Sequence, residues 1–205
     1  MRDSFLRELQ ATIDSLDFKA VSEEREPVLH LLVDYIQSKL QADQPIQLNF
    51  ICTHNSRRSQ FSQLWAQVAA HAFDIPAMCF SGGTEATAFN ERAVASIQRA
   101  GFQVTQSGTD NPLYQVTFAE KTTPLSMFSK KYDDPSSSNS GFAAIMTCSD
   151  ADENCPYIPG AEKRIPLRYE DPKAFDDTEE EAVKYDERSL QIATELLYVF
   201  SNIKA

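Results

Sequence analysis

The sequence predicts an α/β domain built on a central parallel four-stranded sheet, with helices on both faces and an N-terminal helical extension. Two observations predict this class. Four short apolar segments have the length and composition of buried strands, and helical segments with clear start and stop signals lie between them. Strands that alternate with helices pair in parallel, and helices then cover both faces of the sheet. Ligands of such sheets bind at the carboxyl ends of the strands.

The N-terminal extension, 1–42, is predicted to contain two helices separated by an acidic break. In the second helix Leu29, Leu32 and Ile36 recur at helical spacing, and Pro27 suits its first turn. We expect a helical hairpin that packs on the main domain. The alternative is a surface for oligomerisation or for a partner.

The main domain, 46–205, is divided by turn signals into alternating strands and helices. The predicted strands are 46–51, 77–83, 142–147 and 163–167, and the predicted helices are 60–73, 90–101 and 178–200. Asn90 is the expected cap of the second of these helices, and Gly101 its stop. The segment 107–140 ends in a Ser-rich run and is expected to be a polar, mobile insertion loop.

Composition and charge exclude several classes of protein. Of 205 residues, 42% are hydrophobic and 24% charged, which is ordinary for a globular domain. The net charge of −11 disfavours nucleic-acid binding, because neutralising phosphates requires a basic surface. No run approaches the roughly 18 apolar residues of a membrane helix, and the first ten residues lack the apolar core of a signal peptide. We expect a cytoplasmic protein that binds neither nucleic acid nor membrane.

The most informative segment lies between the first strand of the main domain and its first helix. Here a cysteine, five further residues, an arginine and a serine follow one another, from Cys52 to Arg58 and Ser59. A loop that enters a helix N-terminus aims backbone N–H groups at a tetrahedral anion, and an arginine binds two of its oxygens. The same groups favour a thiolate at Cys52, with Ser59 as a hydrogen-bond donor to its sulfur. The predicted oxyanion-binding residues are Thr53, His54, Asn55, Ser56, Arg57, Arg58 and Ser59.

This loop resembles the phosphate-binding loop of low-molecular-weight tyrosine phosphatases and of the arsenate reductases that share their fold. The segment FSGGTE, 80–85, resembles the small-residue segment after their second strand, and 169–172 resembles their late Asp-Pro motif. The resemblance covers about 46–201 and implies that Asp171 is the general acid. A second Asp-Pro pair begins at Asp134, but only Asp171 follows the predicted fourth strand, as in the family.

Two further cysteines distinguish the branches of this family. Cys148 and Cys155, with SDADEN between them, resemble the redox segment of thioredoxin-coupled arsenate reductases. The resemblance implies a relay in which Cys52 attacks arsenate and Cys148 then attacks Cys52, releasing arsenite. Cys155 next moves the disulfide to Cys148–Cys155, where thioredoxin reduces it. The intervening segment has to bend or unwind for this transfer.

The sequence therefore predicts an arsenate reductase that holds no bound cofactor and takes electrons from thioredoxin. The alternative is a low-molecular-weight tyrosine phosphatase or phosphomonoesterase whose Cys52 is regulated by oxidation with Cys148 and Cys155. A third possibility is a non-catalytic oxyanion-binding module. The presence of Cys52, Arg58 and Asp171 together argues against it, because these are the groups of a catalytic site. Arsenate and phosphate have nearly the same shape and charge, so the loop alone does not show whether the substrate is arsenate or a phosphate ester.

No metal site is predicted from the four cysteines. Cys148 and Cys155 are seven positions apart, unlike the close pairs of structural zinc sites. Cys79, in the second strand, is expected to be an inert core residue. The resemblance also implies potassium near Asn55, but Gln63 stands where the family has an acid.

Overall fold

The central sheet of the protein has four parallel strands, which confirms the predicted fold class. The computed structural model describes residues 4–138, 140–154 and 157–204. The strands in these ranges are β1 (Ile46–Cys52), β2 (Ala77–Gly83), β3 (Gln103–Ser107), β4 (Leu113–Thr117), β5 (Leu125–Met127), β6 (Phe142–Met146) and β7 (Ala161–Ile165). The α-helices are α1 (Arg7–Ser15), α2 (Glu26–Gln41), α3 (Arg58–Phe73), α4 (Glu91–Arg99), α5 (Ser149–Asn154) and α6 (Glu181–Ser201).

The strand order β2-β1-β6-β7 brings the ends of β1 and β6 together. Strand β6 is a run of apolar residues, and β1 is apolar except for Gln47 and Asn49, because both strands are covered on both faces of the sheet. In the register, Ile51 pairs with Met146, one residue before Cys52 ends β1. Parallel strands share one carboxyl edge, so whatever follows β1 and β6 meets there.

Helices cover both faces of this sheet. Leu48 and Phe50 of β1 point into the main core with α2, α3 and α6, whereas Ile51 packs on the opposite face with α5. The chain around Tyr132 also packs on that second face. A Cβ on Gly82 would come within 2.2 Å of the Tyr132 Cα atom, so only glycine fits at this position of β2.

The helices start and stop largely where the sequence predicts. Asn90 caps α4, its side chain accepting from the backbone N–H groups of Arg92 and Ala93 at 3.0 and 3.3 Å. Helix α3 packs on α6, and the buried Trp65 donates to Ser189 at 2.9 Å across that contact. The helices of the described ranges include none with both the length and the apolarity that crossing a bilayer requires.

The segment 107–140 is not the polar loop that the sequence predicts. It contributes β4 and β5, which join β3 in a three-stranded antiparallel sheet. Tyr114 and Val116 alternate with polar residues along β4 and are buried in the main core. This period of two is the signature of a half-buried strand. The alternation extends over only five residues, and the surrounding segment is rich in polar residues, so the strand is hard to recognise from the sequence.

The N-terminal extension packs on the main domain as predicted, but its two helices dock at different places. The backbone N–H of Leu6, just before α1, donates to the Phe118 carbonyl at 3.0 Å, beside the antiparallel sheet. Helix α2 packs instead on α6, β1 and β7. Leu9 and Leu29 are fully buried in the main core. The expected helical hairpin is therefore wrong, because each helix buries its apolar face against the domain.

Candidate active site

The connection from β1 to α3 forms a tight loop at the carboxyl edge of the sheet. Asn55 adopts a left-handed backbone conformation with φ of 46°, which asparagine tolerates better than most residues. Its side-chain amide donates to the Ser59 hydroxyl at 2.9 Å, and its Oδ1 accepts from the backbone N–H of Lys130 at 3.0 Å. Asn55 therefore fixes the loop to both the start of α3 and the 107–140 segment.

Cys52 lies at the bottom of this loop with its thiol almost fully buried. Its Sγ is 3.0 Å from the Ser59 hydroxyl oxygen. That oxygen already accepts from Asn55, so the Ser59 hydroxyl hydrogen is free to donate to the sulfur. A hydrogen bond of this kind stabilises a thiolate. The small pocket above the sulfur is lined by Cys52, His54, Ser56, Arg57, Arg58 and Asp171.

The backbone of the loop turns its carbonyl groups away from the pocket. Four carbonyls accept hydrogen bonds from the segments 84–90 and 107–140: Cys52 from Thr84 N (3.1 Å), Thr53 from Glu85 N (2.8 Å), His54 from Ser129 Oγ (2.8 Å) and Ser56 from Asn90 N (2.9 Å). The Asn55 carbonyl accepts from Gln60 of α3 at 3.0 Å. Because these carbonyl groups point outwards, the backbone N–H groups of the loop face the pocket. This is the arrangement of an anion-binding nest.

The end of β2 packs against the outer side of this loop. A Cβ on Gly83 would lie 2.6 Å from the Thr53 carbonyl oxygen and 2.8 Å from the backbone nitrogen of Asn55. Such distances are shorter than any ordinary contact, so the second glycine of the FSGGTE segment is required by the shape of the loop.

The side chains of the predicted oxyanion-binding residues are mostly engaged elsewhere. Thr53 donates to Asp150 at 2.7 Å, and Ser56 donates to the Ala88 carbonyl at 2.7 Å. His54 is half-exposed, with Nε2 3.7 Å from a Glu85 carboxylate oxygen. An anion in the pocket would therefore meet the loop through backbone N–H groups and through arginine.

Arg58 reaches across the mouth of the pocket to the chain that follows β7. Its Nη2 is 2.7 Å from the Asp171 carboxylate, and its Nη1 donates to the Tyr169 carbonyl at 3.0 Å. Asp171 also caps the 3₁₀ helix Pro172–Phe175 through the backbone N–H of Lys173 at 3.1 Å. Of the two candidate acids, the structure thus brings Asp171 to the pocket.

Asp134, the other candidate acid, lies in a turn outside the pocket. Its carboxylate accepts from the hydroxyl and the backbone N–H of Ser136, at 2.6 and 2.9 Å. These hydrogen bonds hold the pKa of Asp134 below its usual value. A carboxyl group with a lowered pKa is a poor proton donor near neutral pH.

Arg57 neither faces solvent nor points freely into the pocket. Its Nε donates to the Tyr185 hydroxyl at 2.8 Å, and its Nη2 is 3.5 Å from the Asp176 carboxylate. Tyr185 in turn donates to Asp176 at 2.7 Å. Burial, together with the Asp176 contact, raises the pKa of Tyr185 to about 12. The sequence holds no signal for this network, since Tyr185 belongs to the distant helix α6.

Cys148 lies beside the loop, at the end of β6. The Thr147 N–H donates to the Ile51 carbonyl at 2.7 Å, which extends the pairing of β6 with β1. The buried Cys148 Sγ is 3.5 Å from the Thr53 hydroxyl oxygen. Because Thr53 donates its hydrogen to Asp150, its oxygen can accept from the Cys148 thiol. Cys52 and Cys148 belong to one buried cluster, whereas Cys155 lies outside the described residues.

Helix α5, which follows Cys148, is held by two arginines. The side chain of Asp152 is 4% exposed and contacts the guanidinium groups of both Arg164 and Arg168. Arg168 Nε donates to the Asp152 carboxylate at 2.6 Å, and Arg164 donates to the Asp152 carbonyl. We call these three residues the Asp152 clamp. No sequence pattern predicts this clamp.

The potassium site implied by the resemblance fits these residues poorly. Asn55 Oδ1 already accepts from Gln60 and from the backbone N–H of Lys130, and Gln63 Oε1 accepts from Ser81 at 2.6 Å. Lys130, whose backbone N–H makes this contact with Asn55, is buried, and burial lowers the pKa of its side-chain amine to about 8. Among the described residues, no three His, Cys, Asp or Glu side chains are grouped to hold a metal ion.

Comparison of the sequence with known proteins identifies arsenate reductases. The chain is 29% identical to the arsenate reductase of Bacillus licheniformis over 139 residues, 68% of this chain and 83% of the relative. It is 28% identical to an arsenate reductase of Staphylococcus aureus over 124 residues, 60% of this chain and 76% of the relative. No family model matches the sequence.

Comparison with solved structures identifies low-molecular-weight tyrosine phosphatases. The enzyme from Vibrio cholerae superposes with a TM-score of 0.52 at 12% identity, covering 76% of this chain and 95% of that protein. The enzyme from T. tengcongensis gives a TM-score of 0.50 at 13% identity, covering 77% and 99%. The resemblance predicted from the sequence is confirmed: the chain has the phosphatase fold, and its relatives in sequence are named arsenate reductases.

Proposed function

We propose that this protein is an arsenate reductase that uses Cys52 as nucleophile and passes a disulfide through Cys148 and Cys155 to thioredoxin. The observation that carries the proposal is the buried Cys148 thiol, 3.5 Å from Thr53 of the oxyanion loop. Hydrolysis of a phosphate ester requires no second thiol at this place. The arsenate reductases among its relatives support the same choice.

In the first step arsenate binds in the loop and Cys52 attacks it. The N–H groups of the loop and the Arg58 guanidinium bind the anion's oxygens. Cys52 thiolate forms a bond to arsenic, and one arsenate oxygen leaves as water after Asp171 protonates it. Asp171 is ion-paired with Arg58 when no anion is bound. The incoming anion draws Arg58 towards its own oxygens, which frees the Asp171 carboxyl group from this contact and leaves it beside the leaving oxygen.

In the second step Cys148 attacks the sulfur of Cys52. A disulfide forms between the two residues, and the electron pair of the sulfur–arsenic bond stays on arsenic, which leaves as arsenite. The two thiolates thus supply the two electrons of the reduction. Thr53 accepts a hydrogen bond from the Cys148 thiol and donates one to Asp150, a path along which the proton of Cys148 can leave.

In the third step Cys155 attacks Cys148 and displaces the Cys52 thiolate, and the dithiol of thioredoxin then reduces the new disulfide. The six residues of α5 span about 9 Å of helical rise. A disulfide requires Cα atoms within about 7 Å. Two residues on either side of such a helix are too far apart for a disulfide, so on this proposal α5 bends or unwinds when Cys155 attacks Cys148.

The second candidate function is hydrolysis of phosphotyrosine or another phosphomonoester. The phosphatase fold and the group formed by Cys52, Arg58 and Asp171 favour it, because these groups suffice when water releases Cys52. On this hypothesis Cys148 protects Cys52 by forming a disulfide with it under oxidation.

Single substitutions separate the two functions. Arsenite formation is measured with thioredoxin, thioredoxin reductase and NADPH, and hydrolysis with an aryl phosphate. We expect Cys148→Ser to lose repeated arsenate reduction but to keep hydrolysis, and Cys52→Ser to lose both. Asp171→Asn should slow the chemical step by roughly 10²–10⁴-fold, the usual effect of losing a general acid.

Cys79→Ala is the matched control for the loss of a buried thiol. Burial raises the pKa of Cys79, so it stays a thiol and should affect neither activity. The proposal fails if the wild-type protein forms no arsenite while it hydrolyses aryl phosphate equally well with and without Cys148. The protein would then be a phosphatase.

A further inference from the structure

The N-terminal extension contacts the chain segment that carries the candidate general acid. We call the residues 166–171, between β7 and the 3₁₀ helix, the acid loop. Arg25, which precedes α2, donates from Nη1 to the Arg168 carbonyl of this loop at 3.1 Å. Its guanidinium carbon lies 5.1 Å from the centre of the Tyr169 ring. Arg25 thus touches the acid loop through a hydrogen bond and through a cation–π contact.

Arg25 is itself held rigidly by α6. Its Nε and Nη2 donate to the two carboxylate oxygens of Glu195 at 2.9 and 2.7 Å, a bidentate pair. The Glu195 side chain is 5% exposed, and Gln191 donates to it at 3.1 Å. Burial alone would lower the pKa of Arg25, but the contact with Glu195 outweighs burial and raises it. The guanidinium is therefore permanently charged and fixed in direction.

The acid loop also contacts residues of the active site. The buried Tyr169 donates its N–H to the Thr147 carbonyl at 3.1 Å and accepts from Arg58 through its own carbonyl at 3.0 Å. Two residues further on, Asp171 pairs with the same Arg58 at 2.7 Å. The backbone that Arg25 holds is thus the backbone from which the Asp171 carboxyl group is presented.

We propose that Arg25 is a positioning residue for the reaction: it fixes the acid loop so that Asp171 can protonate the leaving group. The N-terminal extension, which lies outside the resemblance to the phosphatases, is then part of the catalytic apparatus. The proposal rests on Asp171 as general acid, and therefore applies to hydrolysis and to arsenate reduction alike.

Hydrolysis of two phosphate esters tests this role without thioredoxin or arsenate. Phenyl phosphate has a basic leaving group that needs a proton, whereas 2,4-dinitrophenyl phosphate has an acidic one that does not. The value of kcat/KM reports the step in which the leaving group departs. We expect Arg25→Gln to lower kcat/KM about tenfold for phenyl phosphate and less than twofold for 2,4-dinitrophenyl phosphate.

A second variant keeps the proposal testable if Arg25→Gln fails to fold. Arg25→Lys keeps a cation beside the buried Glu195 but lacks the fork that also reaches the Arg168 carbonyl. It should show the same selective loss. Glu162→Gln is the matched control, because Glu162 binds α2 to β7 through Tyr35, at 2.8 Å, and through Lys39, away from the acid loop. The ratio of its kcat/KM values for the two esters should equal that of the wild type.

Equal losses on both esters in the Arg25 variants, or no loss on either, would overturn the proposal. The same holds if Glu162→Gln changes the ratio as much as Arg25→Gln does, because the effect would then come from the seating of α2 in general. A wild-type protein that hydrolyses neither ester would instead contradict the role of Cys52 and Asp171 in the proposed function.

Discussion

Replacing Asp152 by asparagine should destabilise the protein through the loss of one buried charge. The Asp152 side chain is 4% exposed, and its carboxylate lies between Arg164 and Arg168. Breaking a buried ion pair costs about 3–5 kcal/mol. Asparagine retains one oxygen acceptor and both arginines reach solvent, so we expect a loss of about 2 kcal/mol in the free energy of unfolding. For a protein of this size that corresponds to a fall in Tm of about 4–8 °C.

The assay is urea and thermal unfolding of the variant beside a matched surface control. Asp186→Asn removes a carboxylate that pairs with Arg99 at 2.7 Å, but the two side chains are 33% and 42% exposed. Exposed pairs contribute about 1 kcal/mol or less. If Asp152→Asn is no more destabilising than Asp186→Asn, the buried charge of Asp152 contributes no more than an exposed one.

The Asp152 clamp should also influence the second transfer of the relay. It stabilises α5 in its helical form, and a six-residue helix has little stability of its own. On the proposed relay, α5 leaves that form when the Cys148–Cys155 disulfide is made. A loss of about 2 kcal/mol in the reduced state therefore favours the disulfide by roughly thirtyfold. Equilibration of Asp152→Asn with reduced and oxidised dithiothreitol, in a Cys52→Ser background, measures this shift. An unchanged equilibrium would mean that the clamp is not part of the relay.

The remaining predictions concern the oxyanion loop and the lysine beside it. Arg58→Lys should lower turnover by roughly 10²-fold, because a single ammonium cannot donate two parallel hydrogen bonds; near-wild-type turnover would point to Arg57 as the anion's ligand. The pKa of Lys130 is lowered from its ordinary 10.5 to about 8 in the folded state. Between these values the unfolded chain binds the extra proton, so Lys130 makes stability rise with pH. Urea unfolding from pH 7 to 10 should show a smaller rise for Lys130→Met, and an equal rise in both proteins would contradict this.

The fold was predictable where local pattern and tertiary role agree. Strand β6 is an apolar run that is buried along its whole length, β1 is buried except at Gln47, and Asn90 caps α4 as its position indicates. Strand β4 was missed because its alternation spans only five residues, from Leu113 to Thr117. The hairpin assigned to the first 42 residues was wrong because periodicity identifies an apolar face but not the surface that covers it.

The candidate site was predictable where its residues stand in motifs that resemble those of a known family. The loop from Cys52 to Ser59 forms one motif, and the structure brings Asp171 and Cys148 to it from distant positions. The partners that orient these groups carry no sequence signal. Arg25 lies 170 residues before Glu195, and Arg57 lies 128 residues before Tyr185. Such pairs depend on how the helices pack, which a single sequence does not reveal.

The proposed arsenate reduction depends on the attack of a second thiol on Cys52 after arsenate has bound, and the disulfide formed in that attack can be trapped. Cys155→Ser should reduce about one equivalent of arsenate per chain and then stop, because Cys148 has no partner to release it. Mass spectrometry of the digested product should then show a peptide pair joined through Cys52 and Cys148, with one equivalent of arsenite in solution. Free thiols at both residues after incubation with arsenate, with no arsenite formed, would rule out the attack of Cys148 on Cys52.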